Sequence, residues 1–238
     1  MAFRILIADD HEVVRRGLAS LLQGQPDWEV CGEASDGLEA VEKTASLKPD
    51  VVILDIGMPN LNGLEATRQV LKNDPKTKVL ILTLHDSDQV VREVLDAGAR
   101  GFLLKSDAAR DLVVAVEALR RDKTYFTSRV AGMVLEAYLK GGSPEEVPPP
   151  SRNTLTPRER QIVQLLAEGK SSKEVAVTLD LSVKTAETHR SNIMRKLQLH
   201  SVSELVLYAI RNNIVHVSPP LDLSGDGSQG KSAAVSKE

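Results

Sequence analysis

Short apolar runs alternate with amphipathic stretches five times between residues 3 and 121, and this alternation constrains the fold more than any other feature. The runs are rich in Val, Ile and Leu, as in strands that are buried on both faces. The stretches between them carry apolar residues at helical spacing. The pattern predicts an α/β fold, with a parallel five-stranded sheet covered by helices on both faces. The predicted strands are 3–9, 29–34, 50–55, 78–84 and 101–105, and the predicted helices are about 11–22, 37–47, 63–73, 87–97 and 107–121.

A second unit follows this first one. The Gly- and Pro-rich segment 141–153 can form neither helix nor strand, which indicates an exposed linker. Four short helical patterns come next, opened by capping residues such as Thr156 and Ser171. We therefore expect four parts: a domain over 1–125, a helical extension and linker over 126–153, a small all-α four-helix domain over 154–217, and a disordered tail over 218–238.

The two units differ in charge. Residues 1–140 hold 18 Lys and Arg against 22 Asp and Glu, whereas residues 152–215 hold 10 against 6. A basic unit favours an anionic partner such as nucleic acid. The single cysteine, Cys31, excludes an internal disulfide and fits a reducing compartment. Because there is neither a signal-peptide pattern nor an apolar run near the ~18 residues of a membrane span, we expect a cytoplasmic protein without membrane contact.

Polar side chains cluster where the predicted strands end. Asp9 and Asp10 end the first run, Asp55 the third and Lys105 the fifth, and Thr83 lies near the end of the fourth. Parallel sheets bind ligands at these strand ends, next to the switch in strand order. Neighbouring carboxylates repel each other unless a cation joins them. An N-cap for the following helix would explain one aspartate of the pair, but not both.

Three carboxylates, a lysine and a hydroxyl suit phosphoryl transfer with Mg²⁺. Mg²⁺ prefers carboxylate and water oxygens, so Asp10 and Asp55 could ligate it directly and Asp9 through water. An ionised Asp55 could then act as a nucleophile towards phosphorus. Lys105 and Thr83 could each contact a phosphoryl oxygen. Taken singly, each residue also has a purely structural interpretation, as a strand end or a turn cap.

The combination resembles the receiver domain of two-component response regulators over roughly residues 3–122. The resemblance implies a flavodoxin-like (βα)₅ fold that accepts a phosphoryl group from a sensor histidine kinase on Asp55. It also implies that the carbonyl group of Gly57 joins the aspartates in the Mg²⁺ site. The matching residues are Asp9, Asp10, Leu54, Asp55, Ile56, Gly57, Met58, Pro59, Gly63, Thr83 and Gly101 to Lys105.

The resemblance further implies a conformational switch at Thr83 and Phe102. In the family the hydroxyl moves to the phosphoryl group and the aromatic ring turns inward, which alters the face around the fourth helix. Phe102 stands where Tyr is often found, so a switch that depends on a ring hydroxyl is not expected. Ser106 stands where many relatives have a proline with a cis bond, so that bond is not expected either.

The basic unit resembles the LuxR-type helix-turn-helix, which places the chain in the NarL/FixJ group. Its 182–197 helix has one apolar stripe, predicted as Val183, Ala186, Ile193 and Leu197, and an opposite polar side that suits the major groove. Ala186 stands where Val is common. The matching residues are Leu155, Thr156, Arg158, Glu159, Gly169, Ser171, Lys173, Glu174, Val175, Ala176, Leu179, Ser182, Thr185, His189, Ile193, Lys196 and Leu197.

This second resemblance implies contacts with double-stranded DNA and a homodimer when the chain is phosphorylated or bound to DNA. Without it, a polar helix face would indicate only solvation and His189 a packing residue. The last helix carries Val202, Leu205, Val206, Ala209 and Ile210, with Leu207 and Tyr208 left over on other faces, and this apolar excess suits the dimer contact. The base-edge candidates are Glu187, Thr188 and Ser191; Lys184 and Arg195 could reach bases or phosphates; the phosphate candidates are Lys170, Lys173, Thr185, His189 and Lys196.

Two other functions compete with that of a phosphorylation-controlled transcription regulator. A phosphatase of the haloacid-dehalogenase type needs a second Asp two residues after its nucleophile, and this chain has Gly57 there. Receivers that serve only as interaction modules tend to lose the acidic pair or the lysine, and this chain keeps both. We therefore expect a regulator and not an enzyme. In this family the receiver often covers the recognition helix until phosphorylation, and the opposite charges of the two units favour such a contact. Phosphorylation-driven dimerisation is the competing mechanism of control.

Overall fold

The computed structural model describes residues 2–84, 87–127, 130–132 and 155–215. The predicted linker, the predicted tail and most of the predicted helical extension before the linker lie outside these residues. Of that stretch, residues 130–132 are helical, and Val130 is buried in the core of the first unit. We call residues 2–132 the N-terminal unit and residues 155–215 the C-terminal unit.

Five parallel strands form the sheet of the N-terminal unit. Their order is β2-β1-β3-β4-β5, the order of flavodoxin-like folds, so the predicted fold class is confirmed. The switch in strand order lies between β1 and β3, which pair from Ile5 opposite Val51 to Ala8 opposite Leu54. The strands are β1 (Phe3–Ala8), β2 (Trp28–Ala34), β3 (Val51–Asp55), β4 (Lys78–Thr83) and β5 (Gly101–Leu104).

Within residues 2–84 and 87–127, five helices cover the two faces of this sheet. Two of them, α1 and α5, bury Leu22 and Leu112 against one face, and the other three bury residues such as Leu64 and Val94 against the opposite face. Every helix and strand boundary lies within one residue of its predicted position. The helices are α1 (Glu12–Gln23), α2 (Gly37–Leu47), α3 (Gly63–Asn73), α4 (Asp88–Asp96) and α5 (Ala108–Arg120), with a 3-10 turn over Lys105–Asp107 before α5.

The turn from β3 into α3 is unusually close. A Cβ atom on Gly63 would lie 2.1 Å from the carbonyl oxygen of Asp55, so only glycine fits there. The Gly63 N–H donates to the carbonyl of Ile56 over 3.0 Å. The side chain of Asn62 caps α3 by accepting from the Glu65 N–H. The end of β3 and the start of α3 are thus fixed against each other.

The C-terminal unit consists of four helices around a core of its own. Ile162, Val175, Ile193 and Ala209, one from each helix, are buried together. Capping boxes at Thr156 and Ser171 begin the first two helices, as predicted. No helix in the described ranges is both long and apolar enough to span a membrane. The helices are α6 (Pro157–Ala167), α7 (Ser172–Thr178), α8 (Val183–Leu197) and α9 (Val202–Arg211).

Candidate functional site

An acidic pocket lies at the switch in strand order. Asp9 and Asp10 follow β1, and Asp55 ends the neighbouring strand β3, so the sheet brings the three predicted carboxylates together. Ligand atoms of these residues and of His11 all lie within 4.8 Å of one another. Asp9 and Asp55 are buried, whereas the side chain of Asp10 is about one third exposed at 33%. The pocket is therefore open on the Asp10 side.

Lys105 joins two of these carboxylates. Its Nζ atom lies 2.7 Å from Oδ2 of Asp9 and 2.9 Å from Oδ2 of Asp55. Burial raises the pKa of the Asp55 carboxyl, and the Lys105 ammonium opposes that rise. Burial alone would lower the pKa of Lys105, but the carboxylates of Asp55 and Asp9 outweigh it, so that pKa is raised. The predicted lysine thus stands beside the predicted nucleophile as a charged partner.

His11 belongs to the pocket but was not predicted. Its Nδ1 atom lies 2.7 Å from Oδ1 of Asp10, and its backbone N–H donates to Oδ1 of Asp9 over 2.9 Å. His11, rather than Asp10, is the N-cap residue of α1, and no side chain caps that helix. The interpretation of Asp10 as a helix cap is therefore wrong. In the sequence, the position of His11 directly after the aspartate pair was the feature that could have indicated its place in the pocket.

The donor set fits a hard divalent cation. Three carboxylates and one ammonium leave two negative charges in a small pocket. Within the described ranges, the buried Oδ2 atom of Asp9 accepts no hydrogen bond of regular geometry, although Lys105 is close to it. Asp10 and Gly57 line one cavity of about 170 Å³, so the residue of the predicted carbonyl ligand lies on the same cavity as Asp10. These oxygen donors are the type that Mg²⁺ prefers.

The two predicted switch residues are both buried. Thr83 ends β4 with 1% of its surface exposed. Phe102, on β5, is also 1% exposed and packs in the same core as Val90 and Val94 of α4. The ring therefore lies in the inward position in this structure. Leu84, which directly follows Thr83, is 62% exposed on the protein surface.

Most of the predicted DNA contacts share one exposed surface. Ala186 and Ile193 bury one side of α8, as predicted, while Val183 in its first turn is exposed instead. On the other side the polar side chains point into solvent. The exposed candidates are Lys173 on α7 and Lys184, Thr185, Glu187, Thr188, Ser191 and Arg195 on α8.

Three further candidates for DNA contacts do not belong to that exposed set. The Nζ atom of Lys196 lies 2.7 Å from Oε2 of Glu159 in an ion pair. Lys170 donates to the side-chain oxygen of Asn60 in the N-terminal unit. His189 is half-buried. Lys170 and Lys196 are therefore engaged with protein partners, and the sequence did not show this.

The two units meet at the loop between β3 and α3. The side chain of Gln164, on α6, accepts from the Asn62 N–H over 2.8 Å and donates to the Met58 carbonyl over 3.0 Å. Asn62 also donates from Nδ2 to the Ile214 carbonyl, just after α9. The Asn60 N–H donates to Glu168 over 3.3 Å. We call these contacts the interdomain latch, formed by Met58, Asn60 and Asn62 with Gln164, Glu168, Lys170 and Ile214.

The latch leaves the recognition surface uncovered. The N-terminal unit contacts α6 and the segment after α9, while the outward residues of α8, including Glu187 and Thr188, are exposed. The expectation that the N-terminal unit covers the 182–197 helix is therefore wrong for this structure. Charge complementarity favoured a contact between the units, but it could not indicate which surfaces would meet.

Both units match known protein families. Residues 5–117 match the family described as "Response regulator receiver domain", and residues 153–209 match "Bacterial regulatory proteins, luxR family". The chain is 40% identical to the transcriptional regulatory protein LiaR of Bacillus subtilis, over 90% of this chain and 99% of LiaR. It is 37% identical to the response regulator protein VraR of Staphylococcus aureus, over 90% of this chain and all of VraR.

A solved structure is similar over most of the chain. RcsB from Salmonella enterica serovar Typhimurium, bound to promoter rprA with phosphomimetic BeF₃⁻, is similar at a TM-score of 0.53 and 27% identity. The similarity covers 87% of this chain and 98% of that one. The similarity to LiaR and VraR runs along nearly the full length of these relatives and covers 90% of this chain, in which both family regions lie. The chain therefore belongs to the NarL/FixJ group of two-component response regulators, which join a receiver domain to a LuxR-type DNA-binding domain.

Proposed function

We propose that Asp55 accepts a phosphoryl group from a sensor histidine kinase and that this phosphorylation controls binding to double-stranded DNA. The observation that carries the proposal is the position of Asp55, buried at the switch in strand order with Lys105 2.9 Å away and the aspartate pair beside it. A DNA target and a kinase partner both fit a cytoplasmic location. The proposal assigns transcriptional regulation to the chain as a whole.

Asp55 acts as the nucleophile in the proposed transfer. One of its carboxylate oxygens bonds to phosphorus while the bond between phosphorus and the kinase imidazole nitrogen breaks, and that nitrogen keeps the electron pair. Lys105 is placed to pair with a phosphoryl oxygen, and Thr83 at the next strand end is placed to donate a hydrogen bond to another. The buried ring of Phe102 then holds the protein surface around α4 in one conformation.

Asp10, Asp55 and the carbonyl of Gly57 would hold Mg²⁺, with Asp9 acting through water. The ion would neutralise the oxygens of the incoming phosphoryl group. Asp9 has a second role, because its buried carboxylate holds the Lys105 ammonium in place at 2.7 Å. His11 keeps the side chain of Asp10 oriented along the pocket.

The proposed DNA contacts follow from the exposed side of α8. Glu187, Thr188 and Ser191 read base edges in the major groove, and Lys184 and Arg195 reach bases or phosphates. The exposed residues Lys173 and Thr185 contact phosphates, which position the protein without reading sequence. We propose His189, Lys170 and Lys196 as phosphate contacts only in a conformation in which the protein groups that now surround them have moved away.

A homodimer through α9 completes the proposal. Val202, Leu207 and Ile210 on this helix are exposed at 44%, 52% and 37%, although the opposite side of the helix packs in the core. Large apolar side chains exposed together mark a site for a partner. A two-fold dimer would place two recognition helices on half-sites about one helical turn apart.

Phosphate incorporation from acetyl phosphate tests the chemical part of the proposal. Asp55→Asn should abolish incorporation, because an amide is not a nucleophile, while Asp96→Asn at the exposed end of α4 should label like the unchanged chain. Asp10→Ala should raise the Mg²⁺ concentration needed for half-maximal labelling, because it removes a direct ligand. Normal labelling of the Asp55→Asn chain, measured by mass spectrometry, would remove Asp55 from its role.

A further inference from the structure

We infer that the interdomain latch makes Gln164 a positioning residue for the phosphoryl-transfer site, so that docking of the C-terminal unit opposes phosphorylation of Asp55. This inference rests on the proposed function of Asp55. It concerns the reactivity of the acidic pocket and not the coverage of the recognition helix, which the latch leaves exposed.

The pocket and the latch share one cavity. Asp10 and Gly57 line one side of the space of about 170 Å³, and Gln164, Glu168 and Ile214 of the C-terminal unit line the other. The C-terminal unit thus forms one wall of the space beside Asp10 and Gly57. The Asp10 side chain stays about one third exposed while the units are docked, so this wall narrows the approach to the acidic pocket without closing it.

Gln164 holds the loop that carries the proposed carbonyl ligand. The loop starts directly after Gly57, and Gln164 bonds both its beginning, at the Met58 carbonyl, and its end, at the Asn62 N–H. The amide is buried at 2% exposure, and its nitrogen also donates to Glu168 over 2.8 Å. Removing it would leave buried backbone groups without partners, so docking depends strongly on this side chain.

The middle of the same loop is shaped for the latch. Asn60 has a φ of 64°, in the left-handed region that Asn adopts more readily than most residues. Its side chain donates to Asp36 over 2.9 Å, and its backbone N–H donates to Glu168. Both ends and the middle of the loop are therefore held by the docked unit. Movement of the loop around an incoming phosphoryl group would break these bonds.

Charge acts in the same direction. Glu168 carries a partly buried carboxyl group in the wall of the cavity; burial raises its pKa and favours the uncharged form, while the Gln164 amide and the Lys170 ammonium oppose that rise and favour the carboxylate. A phosphoryl group would add up to two negative charges to the same small space. If docking disfavours the phosphorylated state in this way, phosphorylation disfavours docking by the same factor.

The test compares Gln164→Ala with Gln161→Ala in the full chain. Gln161 lies on the same helix and is buried, and it accepts from Arg158 in its own unit. It lines, with residues of α3, a second cavity between the units, but it makes none of the latch hydrogen bonds to the loop after Gly57. Gln164→Ala should raise the initial rate of labelling by acetyl phosphate by about fivefold or more, since two buried hydrogen bonds are lost. It should also lower the Mg²⁺ concentration for half-maximal labelling and enlarge the radius of gyration in solution scattering without any phosphodonor. Gln161→Ala should change none of these.

The outcomes separate this inference from the proposed function. Equal rates and equal radii for Gln164→Ala and the unchanged chain would overturn the latch while Asp55 labelling stays intact. An enlarged radius with an unchanged or lower rate would show that docking does not oppose phosphorylation, which also overturns it. Labelling that persists in Asp55→Asn would overturn the proposed function, and the inference with it.

Discussion

At the residue scale, the acidic pocket could be predicted because parallel strands deliver their last residues to one edge of a sheet. Asp9, Asp10 and Asp55 follow neighbouring strands, so their positions along the sequence already implied that they meet. Side-chain pairing could not be predicted in this way. Neither the bridging of two carboxylates by Lys105 nor the contact of His11 with Asp10 leaves a periodic signal in the sequence.

A pair of glycines tests how tightly this site is built. Gly63→Ala should lower the free energy of unfolding by roughly 1–3 kcal/mol, because its Cβ atom would meet the Asp55 carbonyl oxygen and force the two backbones apart. Gly17→Ala is the matched control, since that glycine lies within α1 and a Cβ atom there meets nothing within 4 Å. Replacing it should raise the free energy of unfolding by about 0.5–1 kcal/mol. Urea unfolding of both variants measures this, and a Gly63→Ala chain as stable as the unchanged one would contradict the close approach.

At the scale of helices and strands, prediction succeeded because start signals and apolar periodicity agree. Ser171, predicted as a capping residue, and Ser182, the first residue of the predicted 182–197 helix, cap α7 and α8 by accepting from the backbone N–H groups of Glu174 and Thr185. The prediction of which side chains are buried was less accurate near the ends of helices. Val183 fits the apolar stripe of α8 by spacing, yet it is exposed, since spacing does not show where a neighbouring element stops.

The exposed side of α8 predicts two different effects on DNA binding. Lys173→Ala should weaken binding to all sequences and reduce the salt dependence by about one unit of slope, because it removes a phosphate contact. Thr188→Ala and Glu187→Ala should each relax preference at one or two base pairs, by about 1–3 kcal/mol of discrimination. Selection of binding sites from random DNA distinguishes the two classes. Variants of Glu187 and Thr188 that select the parental motif would defeat the assignment.

At the scale of the whole molecule, the sequence indicated two units of opposite charge but not how they dock. The latch consists of loop and helix side chains such as Asn62, Gln164 and Glu168, which have no periodicity and look like ordinary surface residues in the sequence. Their role depends on two folded units meeting. Because α8 is exposed in the docked arrangement, access to a single half-site should depend little on phosphorylation, and control should lie in how two chains assemble on DNA.

The most direct test of the account is the affinity of the full chain for DNA with two half-sites, measured with and without acetyl phosphate and Mg²⁺. We expect the phosphodonor to raise that affinity by about tenfold or more, in line with a typical coupling of 1–3 kcal/mol, and to change binding to a single half-site little. The Asp55→Asn chain should show no such response. An affinity that does not respond to the phosphodonor, or that responds equally in Asp55→Asn, would contradict the claim that phosphorylation of Asp55 controls DNA binding.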